Sequence, residues 1–507
     1  MAEGQRESGL SPLQVLLIAP LAGALVTLSL APFDIWPAGI VSCALLAWLL
    51  SICPPRQALW RGWLYGLGLF GSGVSWVYVS IHVHGYAPVP LAALLTLLFC
   101  GGLAAFPAIF AWCYVRFARS LPGGMLLGFP LLWVLFEWLR SWILTGFPWL
   151  LLGYAHVDTW IAGWAPVLGV YGLSLICAVS GTCLFLAWRS RQAVTIALYT
   201  VIVGLLWVGG GVLQPIKWVA PASEQALSVA VYQPNIPQQQ KWDRRYYRAI
   251  LAQMETASAP LMGVDILVWP EAAVPDYYQN ARGFIDPIAE HASLMETTLI
   301  TGIPFRPQGK RQYHNSILAL GQGSGVYHKQ RLVPFGEYVP LESLLRGLIA
   351  FFDLPMSAFT AGPSGQAPLQ AGAFRVAPYI CYEIVYPDLV ARGARDADLL
   401  ITISNDSWFG DSIGPLQHLQ MAQMRALENG RYLIRGTNNG VSAIIDEQGK
   451  IVVASERFVA TTLHGQVQTM LGSTPFSSFG STPVIAGCAL GLALMYLLYL
   501  GFWRDQD

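Results

Sequence analysis

Long uncharged apolar runs fill most of the first 213 residues, and one more lies near the carboxyl end of the chain. A helix that crosses a bilayer needs about 20 apolar residues, and most of these runs reach that length. The first run ends in Ser-Leu-Ala-Pro, which puts proline where a signal peptidase would cut and so favours an uncleaved helix. The runs predict eight spans: Leu13–Leu30, Ala38–Cys53 (the shortest), Leu64–Ile81, Val89–Val115, Met125–Ile143, Ile161–Trp188, Ala193–Leu213 and Val484–Trp503.

The basic residues of the amino-terminal loops are confined to one alternate set of loops. They are Arg6, Arg56, Arg61, Arg116, Arg119, Arg189 and Arg191, whereas the loops Phe33–Pro37 and His82–Pro88 contain neither Lys nor Arg. By the positive-inside rule, the arginine-bearing loops lie in the cytoplasm. This predicts a cytoplasmic amino terminus, residues 214–480 outside the membrane, and a cytoplasmic carboxyl terminus.

The segment from Ala226 to Leu471 has the pattern of a water-soluble domain, with short β-branched runs alternating with helical periodicity. Several predicted strands are almost wholly apolar, as expected when both faces of a sheet are covered. We therefore predict an α/β layered domain at 226–471, a seven-helix membrane domain at 1–213 and an eighth span at 484–503. The predicted strands are Leu227–Tyr232, Ile266–Val268, Thr297–Ile303, Ser316–Leu320, Val376–Ile380, Leu399–Ile403 and Ser442–Ile445. The predicted helices are Arg245–Thr256, Ala281–Leu294 and Leu416–Asn429.

Composition agrees with a membrane protein. The 507 residues are 54% hydrophobic and 11% charged, whereas soluble proteins carry about 25% charged residues. The formal net charge of zero gives no indication of a nucleic-acid partner.

One cysteine stands apart from the other seven of the chain. Cys381 alone lies in the polar segment, which the predicted topology places in an oxidising compartment where cysteines are usually paired. An unpaired thiol there is either buried and inert or reactive.

Two charged residues share with Cys381 a position just past the end of a predicted strand, namely Glu271 and Lys329. Ligands of open α/β sheets bind outside the carboxyl ends of strands. A carboxylate that takes the thiol proton, a thiolate that attacks a carbonyl and an ammonium that stabilises the oxyanion can together transfer an acyl group. Taken singly, each residue also fits a structural role, as a small core side chain, a solvated carboxylate or a surface lysine.

Longer motifs decide between these interpretations. Trp269-Pro-Glu-Ala, the Lys329 segment and Cys381-Tyr-Glu, in this order, resemble the Glu–Lys–Cys triad of the nitrilase superfamily. Four further segments resemble the apolipoprotein N-acyltransferase family within it: Gln233-Pro-Asn-Ile-Pro-Gln238 with Lys241-Trp242 behind it, Leu332-Val-Pro-Phe-Gly-Glu-Tyr-Val-Pro340, Ile380-Cys-Tyr-Glu-Ile384 and Ile403-Ser-Asn-Asp-Ser-Trp-Phe-Gly410.

The resemblance implies a fold and a site. The expected fold is an αββα nitrilase-like sandwich inserted between the seventh and eighth helices of an eight-helix membrane bundle. Cys381 is the expected nucleophile, Glu271 the general base and Lys329 the oxyanion stabiliser. Four further positions match supporting residues of the family: Glu337, Glu383, Tyr382 and Trp242.

The resemblance also implies a reaction. A phospholipid, by analogy phosphatidylethanolamine, gives an acyl chain to the cysteine as a thioester. The free α-amine of a diacylated apolipoprotein then takes the chain. The expected protein is a monomer in the bacterial inner membrane, with its catalytic domain in the periplasm and no cofactor. No metal site is expected, since the histidines of the chain do not cluster with Cys or Asp.

Two apolar features suggest membrane contacts. Leucine and phenylalanine recur at helical spacing through Leu341–Met356, which fits either a core helix or an interfacial arm that guides lipids. Glu137 and Arg140 lie one turn apart in the fifth predicted span, where charges are usually paired, so they fit an ion pair or a headgroup contact.

Two other functions remain open at the level of sequence. A membrane-tethered amidase or nitrilase would use the same three residues with water as acceptor, although a small soluble substrate would not need eight helices. A transporter or scaffold would only bind through its outer domain, although its spans would then be expected to carry more ionisable residues.

Overall fold

The computed structural model describes residues 10–310, 312–334, 336–338 and 359–504, with side chains up to Gly501. The predicted arm Leu341–Met356 lies outside the described residues.

The amino-terminal half is helical. Ser11 caps the first helix by accepting from the backbone N–H of Gln14 at 3.3 Å, and Pro12 occupies its first position, where a missing N–H costs nothing. The helices are α1 Pro12–Ser29, α2 Pro37–Ser51, α3 Pro55–Gly73, α4 Val77–Val79, α5 Val89–Leu103, α6 Ala105–Cys113, α7 Phe129–Arg140, α8 Ala165–Arg189 and α9 Ala193–Leu213. π-Helical turns follow α4 and α6 and precede α7, at Ser80–His84, Tyr114–Ala118 and Gly124–Gly128.

Five helical segments of the described chain are long and apolar enough to cross a membrane. They are Pro12–Ser29, Val89–Ala118, Trp160–Arg189, Ala193–Leu213 and Thr482–Gly501. A sixth crossing is possible if α3 and the segment Val77–His84, bent by 62° against it, form one span. The helix α2 has 15 residues and α7 has 12, which is short for a bilayer. The described helices thus fit a membrane bundle, and the count of eight spans stays a prediction.

The second half is an α/β domain followed by a last helix. Its helices are α10 Gln238–Lys241, α11 Tyr247–Ser258, α12 Tyr278–Leu294, α13 Pro387–Ala394, α14 Gly414–Asn429, α15 Pro475–Phe479 and α16 Thr482–Arg504. Its strands are β1 Val219–Pro221, β2 Leu227–Gln233, β3 Ile266–Val268, β4 Thr298–Phe305, β5 His314–Gly321, β6 Gly323–Ser324, β7 Val326–His328, β8 Leu369–Ala371, β9 Phe374–Ile380, β10 Leu399–Ser404, β11 Leu433–Thr437, β12 Ala443–Ile445, β13 Ile451–Ala454, β14 Thr461–Val467 and β15 Met470–Gly472.

Two mixed sheets face each other. One has the order β14-β2-β3-β4-β5-β7 and the other the order β13-β12-β11-β10-β9-β8-β6. Val229 and Val268 of the first sheet pack against Ile401 and Ile434 of the second in one buried cluster. Since side chains alternate across a strand, the intervening residues point to the opposite faces, which are also covered. This double coverage explains the nearly continuous apolar runs of the sequence.

The two outer layers differ. Helices α11 and α12 cover the six-stranded sheet, with Met254 and Ile285 against Leu267. Helices α13 and α14 cover the seven-stranded sheet, and there the core continues without a break into the membrane half. The αββα layering is therefore present, and one of its helical layers is shared with the bundle. All seven predicted strands and all three predicted helices of this domain are found, with ends shifted by up to three residues.

Candidate active site

Cys381 begins a tight turn at the end of β9. Ile380 packs between the sheets, and the chain then turns into a 3₁₀ segment at Cys381–Val385. Cys381 has φ = +51°, which a residue with a Cβ adopts only when its surroundings enforce it. Its carbonyl oxygen accepts from Nε2 of His418 at 3.1 Å. The strained turn leaves the cysteine only partly buried at a strand end.

Glu271 follows β3, the strand that pairs with β2 and β4. Its carboxylate is buried and receives two hydrogen bonds. Nδ2 of Asn315 donates to Oε1 at 2.7 Å, and the backbone N–H of Asn405 donates to Oε2 at 2.8 Å. The two donors come from β5 and from the end of β10, so both sheets orient this carboxylate.

Lys329 follows β7 and is 1% exposed. Its Nζ lies 2.8 Å from Oε2 of Glu337 and 3.8 Å from Oε1 of Glu271. Asn315 joins the two carboxylates, since its Nδ2 also donates to Oε1 of Glu337 at 3.0 Å. Burial favours the neutral amine, but Glu337 and Glu271 outweigh it and raise the pKa of Lys329. Lys329 is thus a buried ammonium held chiefly by Glu337.

The same charges act on the thiol. The pKa of Cys381 is raised to about 12, chiefly by burial and then by the charge of Glu271, while Lys329 acts in the opposite direction. Burial likewise raises the pKa of Glu271, against the nearby charge of Lys329. At neutral pH the cysteine is therefore a thiol in this site, and a nucleophilic role would require a base to remove its proton.

Glu383 ties the lysine segment to the cysteine turn. Its Oε1 accepts from the Tyr327 hydroxyl at 2.9 Å and from the backbone N–H groups of Gln330 at 2.7 Å and Arg331 at 3.2 Å. Its Oε2 accepts from the N–H of Ile380 at 2.9 Å. Burial raises the pKa of Glu383 to about 7. This carboxylate is a structural tie between the segments that carry Lys329 and Cys381.

Comparison with known proteins shows the family to which this chain belongs. The model of the apolipoprotein N-acyltransferase N-terminal domain matches residues 22–183, and that of the carbon-nitrogen hydrolases matches residues 228–476. The chain is 48% identical over 497 residues to the apolipoprotein N-acyltransferase of Pseudomonas aeruginosa strain PAO1, covering 97% of both chains. It is 40% identical to the one of Coxiella burnetii, covering 95% of this chain and 99% of the relative. The chain belongs to the apolipoprotein N-acyltransferase family. It is an acyltransferase of lipoprotein maturation with a nitrilase-like domain.

The family's supporting residues lie in different places. The Tyr382 hydroxyl donates to the carbonyl of Gly146 at 2.9 Å, and its ring stacks on Trp149 with centroids 6.5 Å apart. Tyr382 therefore joins the cysteine turn to the membrane half. Trp242 follows α10 and is 37% exposed, and its side chain makes no hydrogen bond or ring contact within the described part of the chain. Its predicted role in shaping the site stays a prediction.

Several residues that hold the site are absent from the sequence-based prediction. Asn405 lies inside the Ile403–Gly410 motif. Asn315 lies in a strand outside all of the motifs, so nothing in the sequence around it indicates a functional role. Behind the cysteine, His418 lies 3.5 Å from Asp406, which pairs with Arg435 at 2.8 Å. Burial opposes this charge, yet Arg435 and His418 hold the pKa of Asp406 below its usual range.

Glu137 and Arg140 do not form the expected ion pair; the described residues contain no salt bridge between them. Instead each binds the segment after α7. Oε1 of Glu137 accepts from the N–H of Leu152 at 3.0 Å, and Arg140 donates to the carbonyl of Phe147 at 2.8 Å. No group of three or more His, Cys, Asp or Glu side chains suited to a metal ion occurs among the described residues.

Proposed function

We propose that this protein transfers an acyl chain from a membrane phospholipid to the α-amine of the diacylglyceryl-cysteine of apolipoproteins, through a thioester on Cys381. The observation that carries the proposal is the strained, partly exposed Cys381 turn, with the buried charges of Glu271 and Lys329 acting on its thiol. Membership of the N-acyltransferase family supports the choice of an amine acceptor over water.

In the first half-reaction, Sγ of Cys381 attacks the ester carbonyl carbon of the phospholipid while Glu271 takes the thiol proton. A raised pKa makes Glu271 a stronger base once it is ionised. The negative charge that develops on the carbonyl oxygen is stabilised by Lys329, which keeps at least one N–H group free of hydrogen bonds to the described residues. The tetrahedral adduct collapses, the ester C–O bond breaks, and Glu271 returns its proton to the leaving alkoxide of the lysophospholipid.

In the second half-reaction, the amine nitrogen attacks the thioester carbon and the C–S bond breaks. Glu271 takes a proton from the attacking nitrogen and passes it to the departing thiolate, which restores the thiol. Because a thioester is already activated towards amines, the amide forms without a further energy source. Each half-reaction thus exchanges one acyl partner, and the carboxylate ends each in its starting state.

The organisation that serves this reaction rests on the loop charges and the family resemblance. We place a seven-helix domain at 1–213 and an eighth span at 484–503 in the bacterial inner membrane, with both termini in the cytoplasm. The catalytic domain at 226–471 lies on the periplasmic side, next to the lipids it consumes. Phosphatidylethanolamine is the expected donor and a monomer the expected state, with Glu337 and Glu383 supporting the three catalytic residues and Tyr382 and Trp242 shaping the substrate site.

The first test is the intact mass of purified full-length protein after incubation with a phosphatidylethanolamine of known chains and no acceptor. We expect a gain of one acyl chain that is absent from Cys381→Ala and lost when a diacylated lipopeptide is added, with the chain recovered as an amide.

A protein that gains no mass while Cys381 still reacts with an alkylating reagent would contradict the thioester. Loss of the chain to water as free fatty acid, with no acylated lipopeptide, would favour a hydrolase.

A further inference from the structure

A second buried lysine lies beside the general base. Lys241 ends the short helix α10 and is 1% exposed, although its neighbour Trp242 is 37% exposed. Lysine is almost never fully buried without a charged partner, since taking an ammonium out of water is costly. Lys241 makes no salt bridge within the described part of the chain, so its burial needs an explanation.

The ammonium of Lys241 is aimed at Glu271. Nζ donates to the backbone carbonyl of Glu271 at 2.9 Å. Among the described residues, Nζ has no other hydrogen-bond acceptor. The Glu271 carboxylate is the one charge with a resolved effect on it. The residue after Glu271, Ala272, has φ = +47°, so the chain turns sharply here and a fixed carbonyl sets the direction of the Glu271 side chain.

A second side chain of α10 acts on the same carboxylate indirectly, through Asn405. Oε1 of Gln238 accepts from Nδ2 of Asn405 at 2.7 Å, and the N–H of Asn405 donates to Oε2 of Glu271. Helix α10 therefore holds Glu271 in two ways. Lys241 binds the backbone carbonyl of Glu271, and Gln238 binds Asn405, whose N–H donates to the Glu271 carboxylate. The four residues form one connected unit that joins α10 to the segments that follow β3 and β10.

We infer that Lys241 is a positioning residue for the general base, holding the Glu271 backbone and supplying positive charge that keeps the carboxylate ionised. The inference rests on the proposed function, in which Glu271 takes the thiol proton. The charged and titratable groups that face Glu271 are Lys329, Glu337 and Cys381 as well as Lys241. Lys329 already pairs with Glu337 at 2.8 Å, so Lys241 supplies the second positive charge of the site.

The sign of the effect follows from these charges. Burial raises the pKa of Glu271, and Lys241 acts against that rise. Removing the ammonium therefore raises the pKa of Glu271 further, and the ionised base is lost at a higher pH on acidification. Burial also lowers the pKa of Lys241 to about 8, so this side chain is charged at neutral pH and loses its charge above that value.

The test compares the pH dependence of Cys381 acylation in full-length wild type, Lys241→Met and Lys241→Arg. Lys450→Met, which removes an exposed lysine outside the site, is the matched control. The acyl donors are phosphatidylethanolamine vesicles and, separately, p-nitrophenyl acetate, and the readout is the rate of mass gain. We expect Lys241→Met to shift the acid limb of the pH–rate profile to higher pH by about one unit. At pH values below the limb, the acylation rate then falls about tenfold.

Lys241→Arg keeps the charge and is expected to keep the position of the limb, as is the control. An unmoved acid limb in Lys241→Met would overturn the inference, as would an equal loss at every pH. If Lys241→Met does not fold, Lys241→Gln replaces it. The activated ester separates the two proposals: a wild type that p-nitrophenyl acetate acylates but the phospholipid does not contradicts the donor, while the effect of Lys241 is still measured.

Discussion

At the scale of single residues, the candidate site depends on side chains that hold its backbone in place. Glu383 has each of its two oxygens bound, and three of its four donors are backbone N–H groups, on Gln330, Arg331 and Ile380. A carboxylate accepts at both oxygens, whereas an amide accepts at one and donates at the other. Position 383 therefore requires a side chain that can accept hydrogen bonds at two oxygens.

Glu383→Gln tests this requirement, although it changes neither size nor shape. Its NH₂ group would face a backbone donor, so a buried N–H group loses its acceptor. We expect a loss of about 1–3 kcal/mol in the free energy of unfolding and a fall in thioester formation, because Lys329 and Cys381 are no longer tied together. Apparent thermal midpoints and mass gain measure both effects, with the exposed Glu255→Gln as control. Equal midpoints for the two variants would contradict the role of Glu383.

At the scale of elements, the segment after α7 connects the helical amino-terminal half to the turn that carries Cys381. Glu137 and Arg140 hold its backbone from one side. Tyr382 and Tyr386 hold it from the other, since the Tyr386 hydroxyl donates to the carbonyl of Thr145 at 3.0 Å and also reaches that of Gly146 at 3.3 Å. The turn that carries Cys381 is thus fixed to a loop of the bundle by two neighbouring tyrosines.

The double variant Tyr382→Phe/Tyr386→Phe removes all three of these hydrogen bonds and keeps both rings. Since a displacement of about 1 Å can cost about a hundredfold in rate, we expect thioester formation to fall between about tenfold and a hundredfold. Tyr382→Phe alone is expected to be milder, because Tyr386 still reaches Gly146. Rates of mass gain are compared with those of Tyr246→Phe, which lies outside this contact. A double variant no slower than the single one would show that the loop does not position the turn.

At the scale of the whole molecule, α14 is one of the surfaces by which the α/β domain joins the helical bundle. Gly169 interrupts α8 with φ = +66°, and a Cβ there would lie 2.2 Å from the ring of Phe476. The interruption frees the N–H of Val170, which donates to Oε1 of Glu428 at 2.7 Å. Glu428 also pairs with Arg425 at 2.7 Å, with both side chains fully buried.

Glu428→Ala is expected to weaken the contact between α14 of the α/β domain and α8 of the helical bundle. It leaves the guanidinium of Arg425 buried without its carboxylate, and removing one partner of a buried pair costs about 3–5 kcal/mol. We expect a lower apparent unfolding midpoint together with loss of acylation, although Glu428 makes no contact with Glu271, Lys329 or Cys381. Glu290→Ala, at an exposed position of α12, is the control. Full acylation at an unchanged midpoint would mean that this junction is dispensable.

The sequence by itself determined the local and the ordered features of this protein. Apolar runs marked the membrane helices, doubly apolar strands marked a sheet covered on both faces, and motif order brought together Glu271, Lys329 and Cys381. These signals are readable because hydrophobic periodicity and short motifs depend on neighbouring residues. The number of spans is harder to predict from the sequence, since α2 and α7 are short and α3 is bent against the segment that begins with α4.

Only the tertiary structure decided what supports the site. Asn315, Lys241 and His418 each form a hydrogen bond to a site residue 30 to 44 positions away, and no local pattern encodes such a contact. The expected pairing of Glu137 with Arg140 failed for the same reason, because a buried charge binds whichever group folding brings to it, here the backbone of the next loop. Long-range contacts place these groups, so their roles are visible only in the folded chain.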